Sequence, residues 1–299
     1  MTSSPMPFVS VVVPVFNDPD GLRACLEALE GQTYPKALYE VIVVDNGSAR
    51  DVGRITARFG RVRRAHEPVP GSYAARNRGI SLARGDVIAF IDADCRPDRD
   101  WIEQGLEHLL RAPNCGLVAG RIEPSVRDPR APTAAEVYDA LTAFDQRELV
   151  EKRRAGAAGN VFTFRAVIEH AGVFDETLRS GSDILWGQRV SALGYRVVYA
   201  DDARVRHRAL RSVGALCRRI IRLVGGQHDR QRRAGGSPGR VVADIARDLV
   251  PPVRWAWRLS RERGLDAGTR VKVVGILWLL RYRSAWERLR LQFGGTSRR

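Results

Sequence analysis

Val87–Asp94, with the sequence VIAFIDAD, is an unbroken apolar run that ends in two carboxylates one residue apart. Such a run predicts a strand buried on both faces of a sheet, with Asp92 and Asp94 at the C-terminal end, where open α/β sheets bind their ligands. Two carboxylates that repel each other there favour a cation between them. A hard divalent ion commonly bridges such oxygens to a diphosphate, so this stretch predicts a metal and diphosphate site.

Other apolar runs place this strand in a larger sheet. Val9–Val15 and Tyr39–Val44 predict two buried strands that precede it, with a helix over Gly21–Glu30 between them. Later segments predict strands over 116–122 and 160–164, helices over 101–111 and 183–193, and one helix near 134–149. Strands that alternate with helices predict an α/β fold with a wound, mostly parallel sheet flanked by helices.

The net charge of +15 belongs to the C-terminal third of the chain. Residues 1–203 carry 25 Lys/Arg against 28 Asp/Glu, a net of −3, whereas residues 204–299 carry 24 against 6, a net of +18. We therefore predict a catalytic domain over 1–210 and a basic helical extension over 211–299. Within the extension, the stretch Gly225–Arg240 predicts a flexible basic linker.

The cysteines and the hydropathy bear on location. Cys25, Cys95, Cys115 and Cys217 stand far apart, which predicts buried, reduced thiols in a cytosolic protein rather than a zinc site or a disulfide framework. No segment resembles a signal peptide, and no apolar stretch approaches the roughly 20 residues that cross a bilayer. A cytoplasmic location is expected.

Seven motifs follow one another in the first 208 residues: VVVPVFN, VVDNGS, AARNRGI, IDADC, GNVFTFRAVIEHAGVFDE, GSDILWGQRV and VRH. In identity and order they resemble the family-2 glycosyltransferases of the GT-A fold; the last ninety or so residues lie outside this resemblance. The resemblance implies a metal-dependent, inverting transfer of a sugar from a nucleotide-diphospho-sugar to an acceptor hydroxyl. Mn²⁺ or Mg²⁺ would be the cofactor, and cell-surface glycan or glycolipid biosynthesis the setting.

The donor site implied by the resemblance comprises Pro14, Val15, Phe16, Asn17, Asp45, Arg76 and Asp92. The first four would line the base pocket, although Val15 and Phe16 could equally be core residues. Asp45 would accept a hydrogen bond from a base N–H, although it also suits an Asx turn. Asn46 stands where the family more often has a second Asp; a UDP-sugar is favoured, with dTDP- and GDP-sugars as alternatives. Arg76 follows a glycine-led helix start that favours anions and would hold the nucleotide or its diphosphate, unless it forms a surface ion pair.

The resemblance assigns the metal to Asp94 and His207, and the ribose or donor sugar to Asp92. It assigns the catalytic base to Asp183, which would take the proton of the acceptor hydroxyl or, alternatively, cap the following helix. Asn160 and Trp186 are candidates for the acceptor side. Trp186 lies one helical turn after Asp183, where its ring could stack on a sugar; packing in the core is the alternative.

The basic extension mixes arginines with Trp and Tyr in Val253–Leu259 and Val271–Leu291. Helices with an arginine-rich face and an aromatic face predict an anionic membrane surface as partner, at the cytoplasmic side, with a glycan or lipid-linked acceptor. Packing on the catalytic domain is the second interpretation. Nucleic acid is not expected, because no recognised nucleic-acid-binding motif is present.

Two other classes of function compete. A sugar-1-phosphate nucleotidyltransferase would need a glycine-rich, basic loop directly after the first strand, and Val15–Asp18 is not such a loop. A non-enzymatic membrane- or nucleic-acid-binding protein with a degenerate domain would not need to keep its acids. Asp45, Asp92, Asp94 and Asp183 are all present, which favours an enzyme.

Overall fold

The computed structural model describes residues 6–142, 145–233, 235, 238–251, 253, 255, 257 and 265–297. Its strands are β1 Val9–Val15, β2 Tyr39–Asp45, β3 Val62–His66, β4 Val87–Ile91, β5 Cys95–Pro97, β6 Cys115–Ser125, β7 Asn160–Phe164 and β8 Arg196–Arg208. They form one sheet in the order β3-β2-β1-β4-β7-β6-β8-β5.

Strand direction divides this sheet into two halves. The pairs β3–β2, β2–β1 and β1–β4 are parallel. The pairs β4–β7, β7–β6 and β8–β5 are antiparallel. The predicted α/β fold is therefore present, but the prediction of a mostly parallel sheet is wrong, because the sheet is mixed. Its parallel half contains β4, the strand that directly precedes Asp92.

The helices are α1 Pro19–Glu30, α2 Gly53–Thr56, α3 Ser72–Leu82, α4 Trp101–Arg111, α5 Ala134–Thr142, α6 Gln146–Arg153, α7 Arg165–Ala171, α8 Ser182–Ala192, α9 Val213–Arg233, α10 Pro238–Leu249 and α11 Ala267–Gln292. The single helix predicted near 134–149 is wrong, because α5 and α6 are separate and Asp145 caps the second by accepting the Glu148 N–H.

The flexible linker predicted over Gly225–Arg240 is also wrong in its first part, since α9 continues to Arg233. Gly225 and Gly226 are buried in this helix. A Cβ atom at Gly226 would lie 2.7 Å from Ser180 Cβ and 2.8 Å from the Ser180 carbonyl oxygen. Gly226 therefore permits the backbone of Ser180 to approach α9 closely.

Apolar side chains of β1 face both sides of the sheet. Val11 and Val13 belong to the cluster that contains α1 and α4 residues, while Val12 belongs to the cluster on the other face. On that second face α3 packs very closely, because a Cβ atom at Gly79 would lie 2.3 Å from Val12 Cγ1. This contact brings the start of α3 to the end of the parallel strands.

The described residues fall into two compact units. The first is drawn from 1–123, 144–177 and 182–207 and contains the sheet; the second is drawn from 124–143, 178–181 and 208–299. In the second unit α11 packs against α5, α9 and α10. Its core includes Ala135, Leu216, Ile276 and Leu280. The boundary predicted at residue 210 stays a prediction.

All four cysteines are free thiols, and Cys25, Cys95 and Cys115 are buried as predicted, whereas Cys217 is half-buried. Burial raises the pKa of the Cys115 thiol to about 11. In the part of the chain that the structure describes, no helix is long and apolar enough to cross a membrane.

Glu40 is a buried carboxylate at the other end of the parallel strands. Its Oε1 atom accepts hydrogen bonds from the Ser10 hydroxyl at 2.8 Å and the Arg84 N–H at 2.8 Å, and Oε2 accepts one from Arg84 Nε at 3.0 Å. Burial opposes ionisation, but these hydrogen bonds outweigh it and hold the pKa of Glu40 below its usual value. The carboxylate therefore joins β1, β2 and the segment after α3.

We expect Glu40→Gln to lower the free energy of unfolding by about 1–3 kcal/mol at neutral pH. The NH₂ group of the glutamine amide would replace a carboxylate oxygen and would face the hydrogen-bond donors of Ser10 and Arg84, which it cannot accept. The folded-state pKa is lowered, so this stabilisation is present above the unfolded-state pKa and is lost as the pH falls through the folded-state value. Urea unfolding of both proteins from neutral pH down to about pH 3 measures this difference, which should shrink with acidification. Equal stability at neutral pH would contradict the assignment.

Candidate active site

The carboxyl ends of β1, β2 and β4 lie at one edge of the sheet. Val15 and Asp45 are register partners at the ends of β1 and β2. Asp92 and Asp94 directly follow β4, which pairs with β1 on its other side. Because parallel strands end at the same edge, the predicted donor residues and the acid pair are brought together there.

Asp92 is paired with a buried guanidinium. Its Oδ1 atom accepts a hydrogen bond from Arg76 Nη2; the Arg76 side chain is 5% exposed and that of Asp92 is 33% exposed. The Nε–H of Arg76 is buried and has no hydrogen-bond partner among the described residues. A buried guanidinium with an unused donor beside an accessible carboxylate suits an anionic ligand. Arg76 is therefore not in a surface ion pair.

Asp94 is brought to His207 by strand pairing. Cys95 and His207 are register partners in the antiparallel pair of β5 and β8. The His207 Nε2 atom lies 3.3 Å from Asp94 Oδ2. Within the described residues, no group of three His, Cys, Asp or Glu side chains is placed to hold a metal ion. The chain thus supplies a carboxylate and an imidazole as a pair.

Two buried thiols lie near this acid pair. Burial and the negative charges of Asp94 and Asp92 raise the pKa of the Cys25 thiol well above its usual value. The same causes raise the pKa of Cys95. Both thiols therefore stay neutral and add no negative charge beside the acids.

Asp183 is held by three donors. Its Oδ1 atom accepts a hydrogen bond from the Tyr73 hydroxyl at 2.8 Å and lies 3.0 Å from the Ile184 N–H. Its Oδ2 atom accepts the Ala158 N–H at 3.0 Å. Asp183 is the second residue of α8 and not the residue before it, so the simple N-cap interpretation is replaced by a carboxylate fixed in one orientation.

Two elements connect Asp183 with Asp92. In α3, Tyr73 donates to Asp183 and Arg76, three residues later on the same side of the helix, donates to Asp92. Ala158, whose N–H donates to Asp183, is followed by Gly159, where a Cβ atom would lie 2.9 Å from Asp92 Oδ2. The base candidate and the donor candidate therefore belong to one site.

The loops after β1 and β2 are joined to each other. The Asn17 N–H donates to the Ser48 hydroxyl at 2.9 Å, and Asn17 Oδ1 accepts the Ala49 N–H at 2.7 Å. Asp45 Oδ1 accepts the Ser48 N–H at 3.0 Å, which is the Asx turn that its sequence predicts. Phe16 is half-exposed in this loop, a position that suits stacking on a planar ring.

Two predicted donor residues differ in accessibility. Pro14 is partly exposed, but Val15 is buried and belongs to the core cluster of β1. Its alternation with Pro14 along the strand turns the Val15 side chain into the core, so for Val15 the core alternative holds and not a place in the base pocket.

Asn46 organises the next loop, a function that the sequence did not reveal. Its Nδ2 atom donates to the carbonyl oxygens of Glu67 at 2.9 Å and Val69 at 2.7 Å, and its Oδ1 accepts the Gly71 N–H at 2.7 Å. Gly71 precedes α3 with φ of 147°, a conformation that favours glycine. Only an amide satisfies both carbonyls and the N–H, because an ionised carboxylate cannot donate.

Asn160 is fully buried, so its prediction as an acceptor-side residue is wrong. Its Oδ1 atom accepts the Trp101 indole N–H at 2.8 Å. Its Nδ2 atom donates to the carbonyl oxygens of Arg121 at 2.9 Å and Ala203 at 2.8 Å. The amide joins three elements of the core, and its burial leaves no surface that a ligand could reach.

Trp186 is also a core residue, as the alternative interpretation held. Its side chain is buried, its indole N–H donates to the Gly172 carbonyl at 2.8 Å, and its ring lies 5.3 Å from that of Phe174. The prediction that it stacks on an acceptor sugar is therefore wrong.

Comparison with known proteins defines the class. The family model of Glycosyl transferase family 2 matches residues 10–171, slightly more than half of the chain. Glycosyltransferase AglE of Haloferax volcanii is 38% identical over 232 residues, which are 76% of this chain and 75% of that protein. The pre-mycofactocin glycosyltransferase of Mycobacterium tuberculosis is 32% identical over 206 residues, which are 67% of this chain and 42% of that protein.

A solved structure has a similar fold. The mannosyltransferase PcManGT from Pyrobaculum calidifontis, in complex with GDP-Man and Mn²⁺, aligns with a TM-score of 0.57 at 18% identity, over 98% of this chain and 76% of that one. The family match defines a glycosyltransferase, and the structural match shows that its fold is the GT-A fold. The chain belongs to glycosyltransferase family 2, as the resemblance predicted, and the nucleotidyltransferase and non-enzymatic alternatives are set aside.

We expect Asn46→Asp to raise the KM for the donor about tenfold, because two carbonyls of the 67–71 loop lose their donor and the approach to α3 loosens. Asn114→Asp is the matched control: the Asn114 amide also donates to a backbone carbonyl, that of Gly194 at 2.8 Å, but in the loop before β6. Both variants should unfold at lower urea concentration, while only the first changes the KM. An unchanged KM in Asn46→Asp would contradict this positioning function.

Proposed function

We propose that this family-2 enzyme is a metal-dependent, inverting glycosyltransferase that acts at the cytoplasmic face of a membrane in glycan or glycolipid biosynthesis. The observation that carries the proposal is the grouping of Asp92 with Arg76, Asp94 with His207, and Asp183 around the end of β4. Each part of the proposal has its own support.

Metal dependence is supported by the Asp94–His207 pair. A carboxylate oxygen and a neutral imidazole nitrogen are donors that Mn²⁺ accepts, and Mg²⁺ accepts the oxygen. With two ligands from the chain, the diphosphate of the donor and water would complete the shell. The bound ion would stabilise the charge of the departing nucleoside diphosphate. The structural neighbour was solved with GDP-Man and Mn²⁺, which supports the same assignment here.

An inverting displacement is supported by the orientation of Asp183. In a single displacement the acceptor oxygen bonds to the anomeric carbon while the bond to the diphosphate oxygen breaks, and the acceptor proton needs a base. Asp183 would receive that proton. Tyr73 and the Ala158 N–H hold the carboxylate in place, so its geometry is set before the acceptor binds.

The donor is proposed to be a UDP-sugar, with GDP- and dTDP-sugars as the alternatives to test. Asp45 and Phe16 stand at the ends of β2 and β1, where a base could receive a hydrogen bond and a stacking contact. GDP-Man in the structural neighbour makes a GDP-sugar the second choice. Arg76, whose guanidinium pairs with Asp92 at the same edge of the sheet, would hold diphosphate oxygens.

We expect Asp94→Ala to weaken Mn²⁺-dependent binding of the nucleoside diphosphate at least tenfold, because half of the ion's protein ligands are lost. Calorimetric titrations with UDP and GDP, in Mn²⁺ and in chelator, measure this. Asp202→Ala is the matched control, since it removes another His–Asp pair, in which His108 Nε2 lies 2.7 Å from Asp202 Oδ1. Metal-dependent binding that persists in Asp94→Ala would refute the metal assignment.

We expect Asp183→Asn to reduce kcat by about 10²–10⁴ while binding of the nucleoside diphosphate stays within twofold of wild type, because only proton removal is lost. Release of nucleoside diphosphate from a panel of UDP-, dTDP- and GDP-sugars gives kcat, and titration gives binding. Full turnover in this variant would exclude Asp183 as the base.

A further inference from the structure

We infer that the outward face of α11 is a docking surface for anionic lipid headgroups. This inference deepens the membrane location proposed above. It rests on contacts of the second compact unit alone, so it stands or falls separately from the metal and the base.

One face of α11 is buried against other helices of the second unit. Ile276 and Leu280 are buried with Leu216 of α9 and Ala135 of α5. Val273 is buried with other α5 residues. This inner face is aliphatic and repeats every three to four residues, as expected for a helix that packs on neighbours.

The opposite face is aromatic and exposed. Trp278, Tyr282 and Trp286, spaced by one helical turn each, are 54%, 63% and 59% exposed. We call this face the α11 aromatic stripe; it is extended by four further exposed side chains, Val271, Leu279, Leu289 and Phe293. At 1.5 Å per residue it is about 33 Å long. An apolar patch of this length on a soluble surface marks a binding surface.

The arginines of α11 do not form the separate polar face that the sequence predicted. Arg281 donates to backbone carbonyl oxygens of α10, and Arg288 Nε donates to Asp248 at 2.9 Å. Arg290 pairs with Glu287. The basic residues that remain exposed are Lys272 and Arg283, which border the stripe.

The positive charge around the α11 aromatic stripe favours anionic lipid as the partner of this surface. Glu287 is the sole acid in the sequence of α11, and it is buried and paired. Residues 204–299 carry a net charge of +18, so a second copy of this surface would be repelled, whereas anionic lipid would be attracted. Trp and Tyr favour the headgroup region, where the ring is apolar and the N–H or O–H is hydrated. The Val253–Leu259 stretch falls largely outside the described residues and is not needed here.

The test is co-sedimentation of the full chain with vesicles of equal parts phosphatidylglycerol and phosphatidylcholine, and with phosphatidylcholine alone. We expect binding at least tenfold tighter to the anionic vesicles, given about fivefold per basic residue near the surface. The triple variant Trp278→Ser, Tyr282→Ser, Trp286→Ser should bind them at least tenfold more weakly. Lys272→Glu with Arg283→Glu should lose the preference for phosphatidylglycerol.

The matched control is Leu110→Ser with Leu193→Ser, which removes exposed apolar side chains from the first unit and should bind vesicles like wild type. Unchanged circular dichroism and nucleoside diphosphate binding show that each variant is folded. Equal sedimentation of the triple variant and wild type would overturn the inference. So would a wild-type dimer, seen by analytical ultracentrifugation, that the triple substitution dissociates without loss of vesicle binding.

Discussion

The buried ion pair of Arg76 with Asp92 is the constraint on which the rest of the site depends. A carboxylate at the end of a buried strand loses hydration, and a guanidinium that is itself buried must have a fixed partner. The pair therefore requires α3 to begin at one place, and Asn46 and Gly71 set that start. From the same helix Tyr73 reaches Asp183, so one turn of α3 positions both sides of the chemistry.

Much of the fold could be predicted, because apolar runs with clear ends define strands. β1 and β7 begin and end at the predicted residues, as does α4. The failures have a common cause: a sequence gives the type of a side chain but not its partners. Asn160 is polar and follows a glycine, yet it is buried because three distant groups satisfy its amide. The paired glycines of α9 resemble the start of a linker, but Gly226 is where Ser180 approaches the helix.

The candidate site was predictable only in part, and for different reasons at different residues. Asp92 and Asp94 follow from local pattern alone, since a buried strand ending in acids indicates a ligand edge. His207 lies more than a hundred residues from Asp94, and only the resemblance to a family pointed to it; the structure brings the two within 3.3 Å through the β5–β8 pair. Asn46 carried no signal beyond its departure from the family, because its value lies in bonds to a loop twenty residues later.

Helix α11 illustrates why periodicity must be combined with tertiary structure before it can be interpreted. Its sequence is apolar at positions 273, 276 and 280 and again at 278, 282 and 286, and basic residues stand between them, so the sequence predicted an aromatic face opposite an arginine-rich face. The structure covers the first set with α5 and α9 and leaves the second set exposed. A helix that already has its protein partners gains nothing in water from a second apolar face. Since the one acid of the helix is paired with Arg290 and buried, the exposed charges are cations, and an apolar medium bordered by anions is the environment that complements them.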